Sequence, residues 1–188
     1  MRVIGGEARG RRLKVPPVPA LRPTSDRVRE AIFDILESRG LVEGATVVDL
    51  FAGSGALGIE ALSRGAKEVT LVDADARAVA VINENLQLTD LAGPQARAVR
   101  ADALAWAASH GHEQVDVVIA DPPYEFDAWL SLLERFTGAA MVLLEHRKEV
   151  EVGGGFAVLR RYRYGGTLVT LAARTGTGPP HPIDKDSD

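Results

Sequence analysis

The sequence predicts an α/β fold on a mostly parallel sheet, and three observations carry that reading. From residue 45 onward, short apolar runs alternate with stretches of helical periodicity, as strand–helix repeats do. Four of the apolar runs finish on or beside an aspartate, at the edge where open α/β sheets receive ligands. The alternation then stops. F-A-V-L-R-R-Y-R-Y, G-G and T-L-V-T-L-A-A-R read as two strands across a tight turn, an antiparallel hairpin that closes the sheet.

Taken in order, V-I-G-G-E-A-R-G-R-R-L-K-V gives two β-prone pieces around a glycine-containing turn, a small N-terminal hairpin. V-P-P-V-P-A-L-R-P is proline-rich and predicts an extended connector. T-S-D supplies helix-capping residues, after which Val28, Ile32, Ile35 and Leu36 recur at helical spacing along one apolar face. A-T-V-V-D-L-F is a strand, A-L-G-I-E-A-L-S-R a helix, E-V-T-L-V-D a strand and A-R-A-V-A-V-I-N-E-N-L-Q-L a helix. A-R-A-V-R-A-D is a short strand followed by helical A-L-A-W-A-A-S. V-D-V-V-I-A-D is a fourth strand, D-A-W-L-S-L-L-E-R-F a helix, and A-M-V-L-L-E-H a fifth strand before the closing hairpin. The expected division is residues 1–22 as basic hairpin and connector, 23–173 as the main domain, and 174–188 as a disordered tail.

Length, at 188 residues, fits one domain with an appendage, and 46% hydrophobic residues suffice for a sizeable core. With no cysteine, disulfides and thiolate metal sites are excluded. No apolar leader opens the chain and no run reaches the ~18 apolar residues of a membrane span, so a cytoplasmic protein is expected. The net charge of −4 argues against a nucleic-acid partner, but its distribution does not. Residues 1–29 hold eight basic side chains and only two acids, Glu7 and Asp26. A basic face in water has that pattern, and so does a polyanion-binding segment.

The four aspartates at the strand ends are Asp49, Asp73, Asp102 and Asp121. Each alone suits a strand end or helix cap; together at the ligand edge they are harder to dismiss. After Asp49, Gly53, Gly55 and Gly58 form G-x-G-x-x-G between a strand and a helix, with Asp73 placed to bind ribose hydroxyls. That fingerprint indicates a nucleoside-containing cofactor without choosing between NAD and S-adenosylmethionine. Few residues lie outside the sheet to serve as a second domain, and the closing hairpin is atypical of a dinucleotide fold; both favour S-adenosylmethionine. At the fourth strand end stands D-P-P-Y, residues 121–124. As turn chemistry alone, Asp-Pro-Pro would end a strand.

D-L-F-A-G-S-G with a downstream D-P-P-Y resembles the class I S-adenosylmethionine-dependent methyltransferases that modify exocyclic amino groups. M-R-V-I-G-G-E-A-R-G-R-R-L, L-R-P-T-S-D-R-V-R-E-A-I-F and F-A-G-S-G-A-L-G-I-E-A-L-S-R-G-A are more specific: they resemble the bacterial 16S rRNA (guanine-N2)-methyltransferase family over roughly residues 1–173. The resemblance implies a Rossmann-like, seven-stranded fold and methyl transfer from S-adenosylmethionine, leaving S-adenosylhomocysteine, with no metal. It implies that the Asp121 carboxylate and Pro122 carbonyl accept the amine hydrogens, that Pro122 and Pro123 hold them rigid, and that Tyr124 stacks on the base. Asp49, Phe51, Gly53, Gly55, Asp73, Ala74, Asp102, Ala103 and Asp121 are then the cofactor-binding residues, Asp102 being equally readable as a helix cap. Arg9, Arg11, Arg12, Lys14, Arg22, Thr24 and Arg27 are the RNA-binding candidates, with helix-surface pairing as the other reading for Arg27 and Arg29. The implied partner is 16S rRNA, free or in a partly assembled small subunit, met by a monomer.

Other residues weigh less. His110 and His112 lack an acid at ligand spacing and suit a solvated loop; Trp106 and Trp129 suit a core; Tyr162 and Tyr164 suit sheet packing. Two further functions stay open, an adenine-N6 methyltransferase sharing D-P-P-Y and a nicotinamide oxidoreductase sharing the glycine fingerprint.

Overall fold

The computed structural model describes residues 1–17 and 26–176. Its elements run α1 (Asp26–Glu37), β1 (Thr46–Leu50), α2 (Ala56–Ser63), β2 (Glu68–Asp73), α3 (Ala76–Leu88), β3 (Ala96–Arg100) and α4 (Ala103–His110). β4 (Val115–Ala120), α5 (Trp129–Arg135), β5 (Ala139–His146), β6 (Phe156–Tyr164) and β7 (Thr167–Arg174) follow. The seven strands form one sheet in the order β3-β2-β1-β4-β5-β7-β6. The first five are parallel, and β7 is antiparallel to both β5 and β6. This is the seven-stranded methyltransferase-like architecture with a closing antiparallel hairpin that the sequence predicts.

The central strands are apolar on both faces because helices cover both. One apolar layer gathers α1, α2 and α3 over Val47, Val69, Val117, Met141 and Val169; the other gathers α4 and α5 over Val48, Val72, Val118, Val142 and Ala172. Consecutive strand residues thus feed opposite layers, as the two-residue pleat requires. The predicted α1 face is buried as a set, Val28, Ile32, Ile35 and Leu36 all lying inside. The Thr24–Ser25 part of the expected cap and most of the proline-rich connector lie outside the described residues, as do residues 177–188 of the expected tail.

β1 goes on to β2 and β3 on one side of the sheet, whereas β4 and β5 lie on the other. The switch point is therefore between β1 and β4, where their carboxyl ends open a crevice.

The expected N-terminal hairpin closes through one bridge, Arg2–Arg12, with Val3 N–H donating to the Arg11 carbonyl at 2.9 Å. Gly10 N–H returns to the Val3 carbonyl at 2.9 Å and Leu13 N–H to the Met1 carbonyl at 3.1 Å, while other donors turn to α2. The Glu60 carboxylate accepts from Ile4 N–H at 2.8 Å and Gly5 N–H at 2.6 Å, while Ser63 Oγ accepts from Ala8 N–H at 2.9 Å. Val3, Ala8 and Leu13 join the buried layer, which leaves every residue of α2 buried.

Candidate active site

The glycine loop is built by backbone that side chains resist. Gly53 and Gly55 adopt φ of 57° and 77°, and Phe51 is held at φ 59°, a costly conformation for a residue with a β-carbon. Gly58 answers a different need. A methyl group there would stand 2.6 Å from Leu71 Cδ2, so α2 sits against β2 only because glycine is present.

Asp49, one residue before the end of β1, is buried beneath this loop. Its Oδ2 accepts from Gly58 N–H at 2.8 Å; its Oδ1 is buried with no partner. Burial first of all pushes its carboxyl up to about 7, with repulsion from Asp121 and Asp73 adding and the Gly58 N–H opposing. An orphaned buried acceptor is what a bound ammonium group would satisfy, so the residues present fit the amino-acid end of S-adenosylmethionine. Asp73, last in β2, accepts from Gly53 N–H and Asp75 N–H, each at 2.8 Å, which fixes its carboxylate at the strand end. Ala74 beside it is exposed. Asp102 lies past the end of β3 and caps α4, accepting from Ala105 N–H at 3.0 Å; it is exposed, and Ala103 behind it is buried.

Asp121 follows β4 directly, half-buried, with Pro122 buried behind it. It is near enough to Asp49 for the two carboxylates to repel. On its other side a cavity of about 280 Å³ is lined by Asp121, Tyr124, Trp129, Glu145, His146 and Arg147, among others. The half-exposed Tyr124 ring carries the Arg147 guanidinium 3.7 Å above its centre, and Arg147 Nη2 donates to the Tyr124 hydroxyl at 2.6 Å. Phe126 ties this loop to the glycine loop, its ring 5.1 Å from Phe51 and 5.1 Å from Trp129.

His146 fixes the rim. It is buried, with Nδ1 2.6 Å from the Lys148 carbonyl and Nε2 2.8 Å from Thr170 Oγ1. A carbonyl only accepts, so Nδ1 carries the proton and Nε2 accepts from the hydroxyl. Burial, ahead of every other influence, lowers the ring's pKa and keeps it neutral. The backbone on either side of Arg147 is thereby pinned.

The basic candidates separate. Arg9, Arg12 and Arg27 are exposed and have no acidic partner among the described residues. Arg11 pairs with Asp90, and Lys14 pairs with Glu84 at 3.2 Å, both at the end of α3. Arg29 makes the helix pairing, with Asp26 at 3.1 Å, but is fully buried instead of on the surface; it also donates to the Arg2 carbonyl and sits 3.7 Å from Glu60 Oε2. Arg22 and Thr24 lie outside the described residues. His110 stacks on Trp106 at 4.8 Å and bonds its carbonyl, a packing role.

Sequence reasoning missed Phe126, His146, Arg147 and Asn85. Asn85 is buried on α3 and bonds the Ser54 carbonyl at 2.8 Å and both backbone groups of Lys14, which ties the glycine loop to the N-terminal segment. The strand-end rule that found the four aspartates, applied to the fifth strand, points straight to Glu145–Arg147.

A family model described as Conserved hypothetical protein 95 matches residues 1–173. The chain belongs to this family. Among relatives of the family, ribosomal RNA small subunit methyltransferase D of Escherichia coli is 42% identical over 137 residues, covering 71% of this chain and 67% of that protein. YlbH of Bacillus subtilis, named as a candidate rRNA methyltransferase, is 35% identical over 187 residues, covering 94% of this chain and all of that one. The solved structure of the Escherichia coli protein yhhF, titled as a candidate methyltransferase, superposes with a TM-score of 0.79 at 33% identity, over 93% of this chain and 97% of that one. The family resemblance carried by the quoted sequence pieces is borne out.

Proposed function

We propose that this chain transfers a methyl group from S-adenosylmethionine to the exocyclic N2 amine of a guanine in 16S rRNA. The observation that carries the reading is the position of Asp121. Its charge is felt by Asp49 beneath the glycine loop and it also lines the cavity, so one residue stands near both the cofactor side and the acceptor side. The names of the relatives support rRNA as the substrate class.

Asp49 Oδ1 and the glycine loop would hold the amino-acid end of the cofactor, and Asp73 the ribose hydroxyls. When bound, S-adenosylmethionine supplies an activated methyl group. A base amine is a weak nucleophile because its lone pair is delocalised into the ring. The Asp121 carboxylate and the Pro122 carbonyl accept its two hydrogens and draw that lone pair out of the ring plane. Both acceptors are preorganised by the proline pair, so the arrangement costs little at the moment of reaction. Asp121 also meets the positive charge that develops on nitrogen and takes up the departing proton. Tyr124 stacks on the base. Such stacking is worth about 1–3 kcal/mol, which offsets much of the cost of extruding a nucleotide.

The test is methylation of 16S rRNA, taken from a strain lacking this protein, with labelled cofactor and nucleoside analysis. Label in N2-methylguanosine supports the proposal. Label in N6-methyladenosine sinks the guanine assignment, and no label in RNA sinks the substrate class. Asp121→Ala is expected to lower kcat by at least about 10²-fold, as loss of one preorganised charge-stabilising group does. Its affinity for S-adenosylhomocysteine, read by calorimetry, stays near that of the parent chain.

A further inference from the structure

Two of the expected RNA contacts, Arg11 and Lys14, are held by acids, and Arg29 is buried. Unpaired cations gather instead beyond the cavity. β6 runs F-A-V-L-R-R-Y-R-Y along the outer edge of the sheet, with three arginines and no acid. Arg160, Arg161 and Arg163 are exposed, and none has a carboxylate partner among the described residues.

The strand register sorts them by face. Arg161 stands opposite Thr170, and Arg163 opposite Leu168. Thr170 is the residue that bonds His146, which lines the cavity. Residues directly opposed in an antiparallel pair share a face, so Arg161 and Arg163 project on the cavity side. Tyr162 and Tyr164 take the other face and pack against the α1–α3 layer. β5 and β6 are each antiparallel to β7, so Arg163 lies towards the same carboxyl-end rim as His146. Lys148, exposed and unpaired among the described residues, lines the cavity on that rim.

We propose that Lys148, Arg161 and Arg163 form a track for the phosphates of the RNA strand whose base enters the cavity. This rests on the methyl-transfer reading above. β6 lies three strands from β4, about 14 Å at sheet spacing. Glu149 and Glu151 on the cavity rim repel phosphate and turn the path away from their loop, towards β6. Charges on an edge strand also guard against edge-to-edge pairing. Guarding works with either sign, whereas every charge on β6 is positive.

The test compares Arg161→Glu/Arg163→Glu with the parent chain on small-subunit rRNA across a salt series. The expected result is a KM for RNA raised roughly tenfold or more, and a slope of log affinity against log salt reduced by about 1–2. The loss falls in KM rather than kcat, S-adenosylhomocysteine still binds, and Arg161→Lys/Arg163→Lys recovers most of the RNA affinity. Unchanged KM and salt slope overturn the track. A change confined to oligomeric state assigns the arginines to edge protection and also overturns it. Failure of the parent chain to methylate any RNA is a separate result, seen without the variants, and removes the underlying reading as well.

Discussion

A carboxyl buried as Asp49 is ionises at a cost to the folded chain. Its folded pKa of about 7 lies above the ordinary 3.8, so the folded state holds its proton over a pH range where the unfolded chain has lost it. Stability from this group is therefore fully present below about pH 4 and is lost as pH rises towards 7. Asp49→Asn removes the penalty. It is expected to be more stable than the parent by roughly 2–4 kcal/mol at pH 8 and nearly equal to it at about pH 3.5, by urea denaturation. The function runs the other way. A ligand ammonium needs the ionised carboxylate, so affinity for S-adenosylhomocysteine should fall up to about tenfold per pH unit below 7, and Asp49→Asn should bind weakly with a flat profile. A parent chain whose affinity does not change between pH 5 and 8 would refute the pairing. At this scale the sequence was informative where chemistry demands a residue type, as at Asp49, Gly58 and Asp121. At Arg29 it offered the helix pairing with Asp26 but not the burial. A charged residue on an amphipathic helix reads as outward-facing, and only the fold reveals Glu60 beside it.

Helix α2 shows how an element acquires a role its own sequence does not announce. A-L-G-I-E-A-L-S reads as a helix and says nothing of where its glutamate goes. In the structure Glu60 is buried, and accepts from Ile4 and Gly5 N–H and from Arg64 Nε at 2.9 Å. The partners lie 55 and 56 residues away in the chain, beyond the reach of local periodicity. Glu60→Ala leaves the buried Arg29 with Asp26 as its remaining carboxylate and strands two backbone donors. The expected cost is about 3–5 kcal/mol in denaturant unfolding, the range for breaking a buried ion pair. Amide exchange at Ile4, Gly5 and Ala8 should accelerate more than at β1 or β4. Uniform acceleration, or none, would show that the segment is held by its apolar residues alone. The central strands, by contrast, were legible because β1, β2, β4 and β5 feed both apolar layers, which favours short unbroken apolar runs.

Across the whole molecule, the candidate crevice sits at the switch point where the two halves of the sheet meet, beneath helical layers that each run across both halves. The β1–β3 half carries the glycine loop and Asp73; the β4–β6 half carries Asp121, the cavity and the arginine edge. The N-terminal segment is fastened to the first half alone, through α2 and through Asn85 on α3. An appendage serving only RNA could be removed without harm to the remainder. The packing predicts otherwise. Deleting residues 1–13 strips Val3, Ala8 and Leu13 from the core, exposes the Glu60–Arg29 pair to water on one side, and takes away the neighbours of α2. Losing three buried apolar side chains costs on the order of 5 kcal/mol at roughly 1.5–3 kcal/mol for each large one, comparable to the whole stability of many domains. The truncated chain is expected to unfold at a much lower temperature and to lose S-adenosylhomocysteine binding, since Ser54 in the glycine loop keeps its carbonyl bond to Asn85 but loses the contact of its hydroxyl with Met1 Sδ. Arg9→Glu/Arg12→Glu in the intact chain provides the contrast, with RNA affinity reduced and the melting temperature kept. A truncation that melts with the parent chain would restore the N-terminal segment to the status of an independent RNA-binding arm.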